Sequence, residues 1–304
     1  MPLNIPASAG QQSWSGYVEP EPGLSLPCTI IRGRHPGPKL LVTAGVHGAE
    51  YSSIEAARRL TQLAPDRLAG EFTILPILNI KAFWSHQPYV NPLDGKNINR
   101  VFPGDANGTA SDRLAAWVVQ TAMTGMDAYV DLHCGDIIEA LLPFAIYLDG
   151  DQRSGELAAA SGFSHVVRSS ASGHSYGAAT RMGIPGVLLE SGGNGLWSED
   201  TVAPLVTGVE RIMAKLGMLK ETGGGTVPAP LVCSMAVTKA PVSGFWHPAV
   251  TPGAKVERGA AVGTIHDLVG SGKRTILAEH SGPILYYVTS LAISEGEPLV
   301  GIAI

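Results

Sequence analysis

Apolar residues in the first two-thirds of the chain fall into short runs separated by stretches of a slower rhythm. Cys28–Arg32, Leu40–Ala44, Phe72–Leu78, Tyr129–His133, Phe144–Leu148 and Val187–Glu190 are nearly continuous in β-branched and apolar side chains. Such runs suit strands covered on both faces of a sheet. Between them the period lengthens. Behind Ser111, the expected N-cap, Leu114, Trp117, Val118 and Thr121 recur at helical spacing. Leu205, Val209, Ile212, Met213 and Leu216 make a longer stripe on one helix face. The alternation predicts an α/β fold, a central sheet with helices on both faces.

The rhythm changes near Leu219. The segment KETGGGTVPAP follows, and its glycines and prolines suit a linker. Beyond it only short strand-like pieces recur between turns: Leu231–Val237, Ala261–His266, Thr275–Glu279, Ile284–Val288 and Leu299–Ile302. The expected organisation is an α/β domain over residues 1–222, a linker over 223–230 and a small all-β domain over 231–304.

Composition narrows the function classes. Of 304 residues, 45% are hydrophobic and 15% charged, which excludes a disordered chain and a coiled coil. A net charge of −5 without a basic run argues against a nucleic-acid partner. Cys28, Cys134 and Cys233 are too few and too scattered for a disulfide framework. MPLNIPASAG lacks the charged start and apolar run of a secretory signal. No stretch approaches the ~20 apolar residues of a membrane span. These features together lead us to expect a cytoplasmic protein with no membrane partner; a homo-oligomer stays open.

Four short segments carry chemistry. In VTAGVHGAEYSS, His47 and Glu50 stand three apart after a strand, so both can reach one metal ion. In AYVDLHCGD, His133 ends a strand, where sites of open α/β sheets gather. Two imidazoles and a carboxylate are an ordinary zinc set with one position left open; a hydrogen-bonded structural histidine is the alternative. In GIPGVLLESGGNG, Glu190 ends another apolar run, fit for a general base or for a structural ion pair. NPLDGKNINRVFPG reads as a loop, yet Asn99 and Arg100 could hold a substrate carboxylate. Asp131, two residues before His133, could orient that ligand. Cys134 should turn away from His133 by strand alternation and is not read as a nucleophile.

GVHGAE, NPLDGKNINRVFPG, DLHCGD and LLESGGNG, in that order, resemble the blocks of the succinylglutamate desuccinylase/aspartoacylase family, within the zinc carboxypeptidase-like group. The resemblance implies a mixed central sheet, one Zn2+ per chain on His47, Glu50 and His133, and Glu190 as the base. It implies that Asn99 and Arg100 grip the substrate, with Arg181 roughly where relatives carry a further substrate-binding arginine. Two positions depart from the pattern: no arginine stands near Pro92, and Asn97 replaces an aspartate that supports a zinc-bound histidine. The C-terminal AVTPGAKVERGAAVGTIHD and AEHSGPILYYV look like a lipoyl/biotinyl-type barrel, but Ala278–Ser281 offers no lysine for modification. In the resembled family such a domain narrows the catalytic cleft. The expected function is zinc-dependent hydrolysis of a small N-acyl amino acid by a metal-activated water. A peptide-cleaving zinc carboxypeptidase and a non-catalytic binding protein are the alternatives.

Overall fold

The computed structural model describes residues 12–220, 228–270 and 272–304. The expected linker is therefore described only over 228–230, and the N-terminal decapeptide lies outside the described residues.

Nine strands form the main sheet: β1 (Ser13–Glu21), β2 (Leu24–Arg32), β3 (His35–Ala44), β4 (Ala69–Leu75), β5 (Ala128–His133), β7 (Phe144–Leu148), β8 (His165–Ser169), β9 (Gly186–Glu190) and β10 (Leu231–Cys233). A short strand, β6 (Glu139–Leu141), leaves this sheet. The order is β1-β2-β4-β3-β5-β9-β7-β8-β10, with β4, β3, β5 and β9 mutually parallel. The chain leaves β3 toward β4 and later returns on the other side as β5. That reversal opens a crevice at the carboxyl ends of β3 and β5, the usual place for a ligand in such sheets.

Strand alternation splits the core into two layers. Val42, Val130 and Leu132 face α1 (Tyr51–Leu60), α4 (Gln152–Ala160) and α6 (Glu199–Lys215). Leu41 and Tyr129 face α3 (Ala110–Trp117) and α5 (Ser175–Arg181), while α2 (Ile80–Ser85) follows β4. The expected stripe of α6 is buried through Leu205, Val209, Ile212 and Met213. The N-cap of α3 is Thr109, not Ser111, because Thr109 and Asp112 cap each other's backbone amides. Ser111 is instead buried and donates to Asp94 Oδ1 at 2.8 Å. The strand expected over Phe72–Leu78 ends at Leu75, since Pro76 cannot donate to the ladder.

The run expected as Leu231–Val237 divides. β10 joins the main sheet beside β8, and β11 (Met235–Lys239) opens the C-terminal sheets, so the change of sheet falls at Ser234. The remaining strands are β12 (Gly244–Pro248), β13 (Lys255–Val256), β14 (Ala261–His266), β15 (Lys273–Leu277), β16 (Gly282–Val288), β17 (Ala292–Ile293) and β18 (Pro298–Ala303). They form two sheets, β11-β18-β16-β13 and β15-β14-β12-β17, around Trp246, Val262, Ile284 and Val300. Pairing of β6 with β16 ties this module to the loop behind His133. Thus the α/β architecture with a small all-β C-terminal part is as the sequence predicts.

Trp246 is 1% exposed and its Nε1 donates to the Val288 carbonyl at 2.8 Å. Trp246→Ala should cost about 3–5 kcal/mol in denaturant unfolding, whereas truncating the exposed Trp84 should change little. Equal losses from the two would contradict this account of the module's core.

Candidate active site

His47 stands in the turn between β3 and α1, ahead of the helix rather than on it. That turn lies against α2 so closely that a Cβ on Gly48 would come within 2.2 Å of the Phe83 amide nitrogen. Only glycine fits there. Glu50 is the N-cap residue of α1 but makes no side-chain cap bond. Its carboxylate is instead buried between two imidazoles. Oε1 lies 2.6 Å from His47 Nδ1, and Oε2 lies 3.0 Å from His133 Nδ1. The Cys134 amide adds a bond to Oε2 at 3.1 Å.

The outer ring nitrogens are held as well. His47 Nε2 donates to Asn97 Oδ1 at 3.0 Å, and His133 Nε2 to Asp131 Oδ2 at 3.1 Å. Asp131 is fully buried and accepts from Thr43 Oγ1 at 2.7 Å and from Ser175 Oγ. Asn97 thus makes the supporting bond with an amide oxygen where an aspartate was the family pattern. One donor atom from each of His47, Glu50 and His133 lies within 4.8 Å of the others. With both Nε2 atoms engaged outward, both Nδ1 atoms face inward, and a metal ion fits this set of two imidazoles and a carboxylate.

Burial opposes charge throughout the cluster, but not equally. Desolvation would raise Glu50, yet His133 and His47 outweigh it and hold its carboxyl below the ordinary range. Burial would lower His133, but Glu50 and Asp131 carry it well above the usual imidazole value. Glu190 has no such rescue. Burial, with Glu50, Glu139 and Asp131 nearby, pushes it well above the ordinary carboxyl range against the pull of His133. Its Oε2 is buried without a hydrogen-bond partner. Glu190 stands in direct register with His133 across the β5–β9 pair. A bend follows, where a Cβ on Gly193 (φ +156°) would meet the Glu139 carbonyl oxygen at 2.0 Å.

The NPLDGKNINR loop is irregular except for one 3-10 turn, Ile98–Arg100. Asp94 ties it to α3 through Thr109 and Ser111. Asn99 is buried, accepts from the Ser175 amide at 2.9 Å and places Nδ2 3.4 Å from His133 Nε2. Arg100 Nη1 donates to the Asn99 carbonyl at 2.8 Å and to His174 Nε2 at 2.9 Å. His174 is therefore not a bystander. Burial, then Arg100, lowers it to about 4, so it stays a neutral acceptor beside the guanidinium. Arg181 is the one proposed residue that the structure does not bring here. Arg181 ends seven-residue α5 and is exposed; its guanidinium reaches back along the helix toward Gly177, but it does not line the cavity. Cys134 does line the cavity, but burial and the carboxylates around it push the thiol well above its usual value, which disfavours the thiolate a nucleophile needs.

Tyr89 and Glu139 gave no sequence signal. Tyr89 adopts φ +54°, costly for a tyrosine, with its amide held by buried Asp136 at 2.7 Å and its hydroxyl on Glu139. Its ring stands edge-on to His47, 6.0 Å between centroids. Only the tertiary fold brings residue 89 to the loop behind His133. The two histidines, Glu50, Glu190, the Asn99–Arg100 pair and Tyr89 open onto one cavity of about 630 Å3 that is also lined by Met235, Tyr286 and Val288 of the C-terminal sheets.

A profile of the succinylglutamate desuccinylase/aspartoacylase catalytic domain matches residues 36–216. The chain belongs to the succinylglutamate desuccinylase/aspartoacylase family. That span contains the two histidines, Glu50, the Asn99–Arg100 pair and Glu190. The N-alpha-acetyl-L-2,4-diaminobutyric acid deacetylase of Halomonas elongata is 24% identical over 99% of this chain and 90% of its own. A succinylglutamate desuccinylase/aspartoacylase from Rhodobacter sphaeroides shares the fold, with a TM-score of 0.87, 24% identity and coverage of 100% and 99% of the two chains. The product-bound ectoine utilization protein EutE (DoeB) from Ruegeria pomeroyi does so with a TM-score of 0.88, 22% identity and coverage of 100% and 97%.

The state of Glu190 can be read without any reaction. The metal-free folded chain keeps this carboxyl protonated to higher pH than the unfolded chain does. Stability is therefore lost as pH rises through and above the ordinary carboxyl range, about 4 to 5, toward the raised folded value. Metal-free Glu190→Gln cannot ionise and should melt above wild type, by a margin that widens with pH. A margin that stays flat, or reverses, would contradict the burial argument.

Proposed function

We propose that the protein is a zinc-dependent hydrolase that cleaves the amide bond of a small N-acyl amino acid. The observation that carries this reading is the convergence of His47, Glu50 and His133 beside Glu190 in one covered cavity. Family membership supports amide hydrolysis, and the named relative's deacetylase activity supports an N-acyl amino acid as substrate.

His47, Glu50 and His133 would hold the ion through Nδ1 atoms and a carboxylate oxygen. When bound, zinc supplies a Lewis acid that polarises the amide carbonyl and makes water acidic near neutral pH. Asp131 and Asn97 keep both rings in the tautomer with a free Nδ1. Glu190, poised by burial, takes the proton of the attacking water and returns it to the leaving amine. Arg100 binds the substrate carboxylate, and buried Asn99 fixes the backbone carbonyl that holds the guanidinium. His174 accepts from Arg100 without adding charge, so the guanidinium keeps its full attraction for an anion. The C-terminal sheets cover the site, and a cavity of about 630 Å3 suits a small molecule better than a polypeptide. This weighs against the peptidase reading.

The test is a panel of N-acetyl, N-succinyl and N-formyl amino acids with short peptides, before and after chelation. We expect chelator-sensitive release of a free amine from an N-acyl amino acid and none from longer peptides. Glu190→Gln should bind zinc normally and lose about 10²–10⁴-fold in kcat. Near-normal turnover in that variant would remove Glu190 from the reaction, and efficient peptide cleavage would favour the carboxypeptidase.

A further inference from the structure

When water attacks an amide, negative charge gathers on the carbonyl oxygen. Fixed hydrogen-bond donors aimed at that oxygen are usually the largest single contribution to such catalysis. The described residues of the cavity offer few of them. Arg100 is the one lysine or arginine in its lining, and its Nη1 is taken by the Asn99 carbonyl and by His174. The acids outnumber it, since Glu50, Glu139, Glu190 and Glu297 line the same space. The loop ahead of Asn99 brings no arginine near Pro92; the side chain it does bring into the cavity is Tyr89.

The backbone bends to bring it there. Tyr89 sits at φ +54°, a left-handed conformation that residues with a Cβ seldom adopt. Bonds on both sides hold it: buried Asp136 accepts from the Tyr89 amide at 2.7 Å, and the Tyr51 hydroxyl pairs with His86 Nδ1 at 2.9 Å just before it. Strain of this kind gathers where a side chain has to be aimed. Here the ring stands edge-on to His47, 6.0 Å between centroids, and the hydroxyl meets the Glu139 carboxyl. Burial, with Glu50 and Asp136 nearby, raises Glu139 above the ordinary carboxyl range against the pull of Tyr89. A carboxyl that keeps its proton donates it to the phenol oxygen, which leaves the phenol hydrogen for another acceptor.

Two other phenols line the cavity, Tyr176 and Tyr286. The Tyr176 hydroxyl is paired with Ser169. Tyr286 senses Glu139 and Arg100, whereas Tyr89 senses Glu139, Asp136 and Glu50. Among the described residues, Tyr89 is the phenol whose ring contacts the His47–Glu50–His133 group. We propose that Tyr89 is a catalytic residue whose hydroxyl donates a hydrogen bond to the scissile carbonyl oxygen as that oxygen becomes negative. The phenol proton is shared and stays on Tyr89, so the proton movements through Glu190 are unchanged. This rests on the deacylase reading above and adds the donor that the loop's missing arginine leaves open.

The experiment uses the zinc-loaded protein, the best substrate of the N-acyl amino acid panel, and a phosphonamidate probe. The probe is the N-methylphosphonyl derivative of that substrate's amino acid, whose tetrahedral anion stands for the attacked carbonyl. Tyr89→Phe keeps the ring against His47 and removes only the hydroxyl. It should still hold zinc and lose about 10²-fold in kcat with KM little changed. By calorimetry it should bind the phosphonamidate more weakly by a similar factor, while the free amino acid product binds as in wild type. Near-normal kcat in Tyr89→Phe would overturn the proposal. Equal weakening of product and phosphonamidate would make Tyr89 structural and overturn it as well. A larger loss of phosphonamidate affinity in Tyr286→Phe than in Tyr89→Phe would give the role to the other phenol. Hydrolysis of no panel member by wild type would retire the deacylase reading and this proposal together, whereas wild-type hydrolysis unslowed by Tyr89→Phe would remove the proposal alone.

Discussion

Two imidazoles share the buried Glu50 carboxylate, and most of the architecture can be understood from what that sharing demands. A carboxylate 3% exposed is costly without compensation. Here it has His47 Nδ1, His133 Nδ1 and the Cys134 amide, which come from the turn behind β3 and the end of the neighbouring parallel strand β5. Glu50 gives up the capping of α1 to serve them. The outer nitrogens must then find partners of their own, and Asn97 and Asp131 provide them. Asp131 in turn draws in Thr43 and Ser175, which anchors the start of α5 and with it His174 and Arg100. A single buried charge thus organises the residues from β3 to α5.

Glu190 is the counterpoint. It stands next to this network in register with His133, yet one of its oxygens has no partner. Buried polar atoms in folded proteins are nearly always satisfied, and the exceptions gather where chemistry is done. One glutamate is held ionised by imidazoles and the other is pushed toward its neutral form by burial, a contrast that matches the separate roles of ligand and base proposed for them.

Much of this was legible in the chain because it is local. His47 and Glu50 are three apart, and His133 and Glu190 close apolar runs, so a strand-end site follows from pattern alone. Phe144–Leu148 is a strand with the expected ends for the same reason. The misreadings trace to interactions that pattern cannot carry. Thr109 displaced Ser111 as the cap because Asp112 answers it. Arg181 stands near the family's second arginine in sequence, but on α5 it is exposed and stays outside the cavity lining. His174, Tyr89 and Glu139 reach the cavity through tertiary packing, and β10 crosses into the main sheet by pairing with β8.

The most direct test of the account is X-ray absorption at the zinc edge of the purified, zinc-loaded protein, compared with Glu50→Ala and His133→Ala. One zinc per chain is expected, bound by nitrogen and oxygen atoms that include two imidazoles, and lost or strongly weakened in both variants. A sulfur contribution from Cys134, or a zinc shell unchanged in the variants, would contradict it.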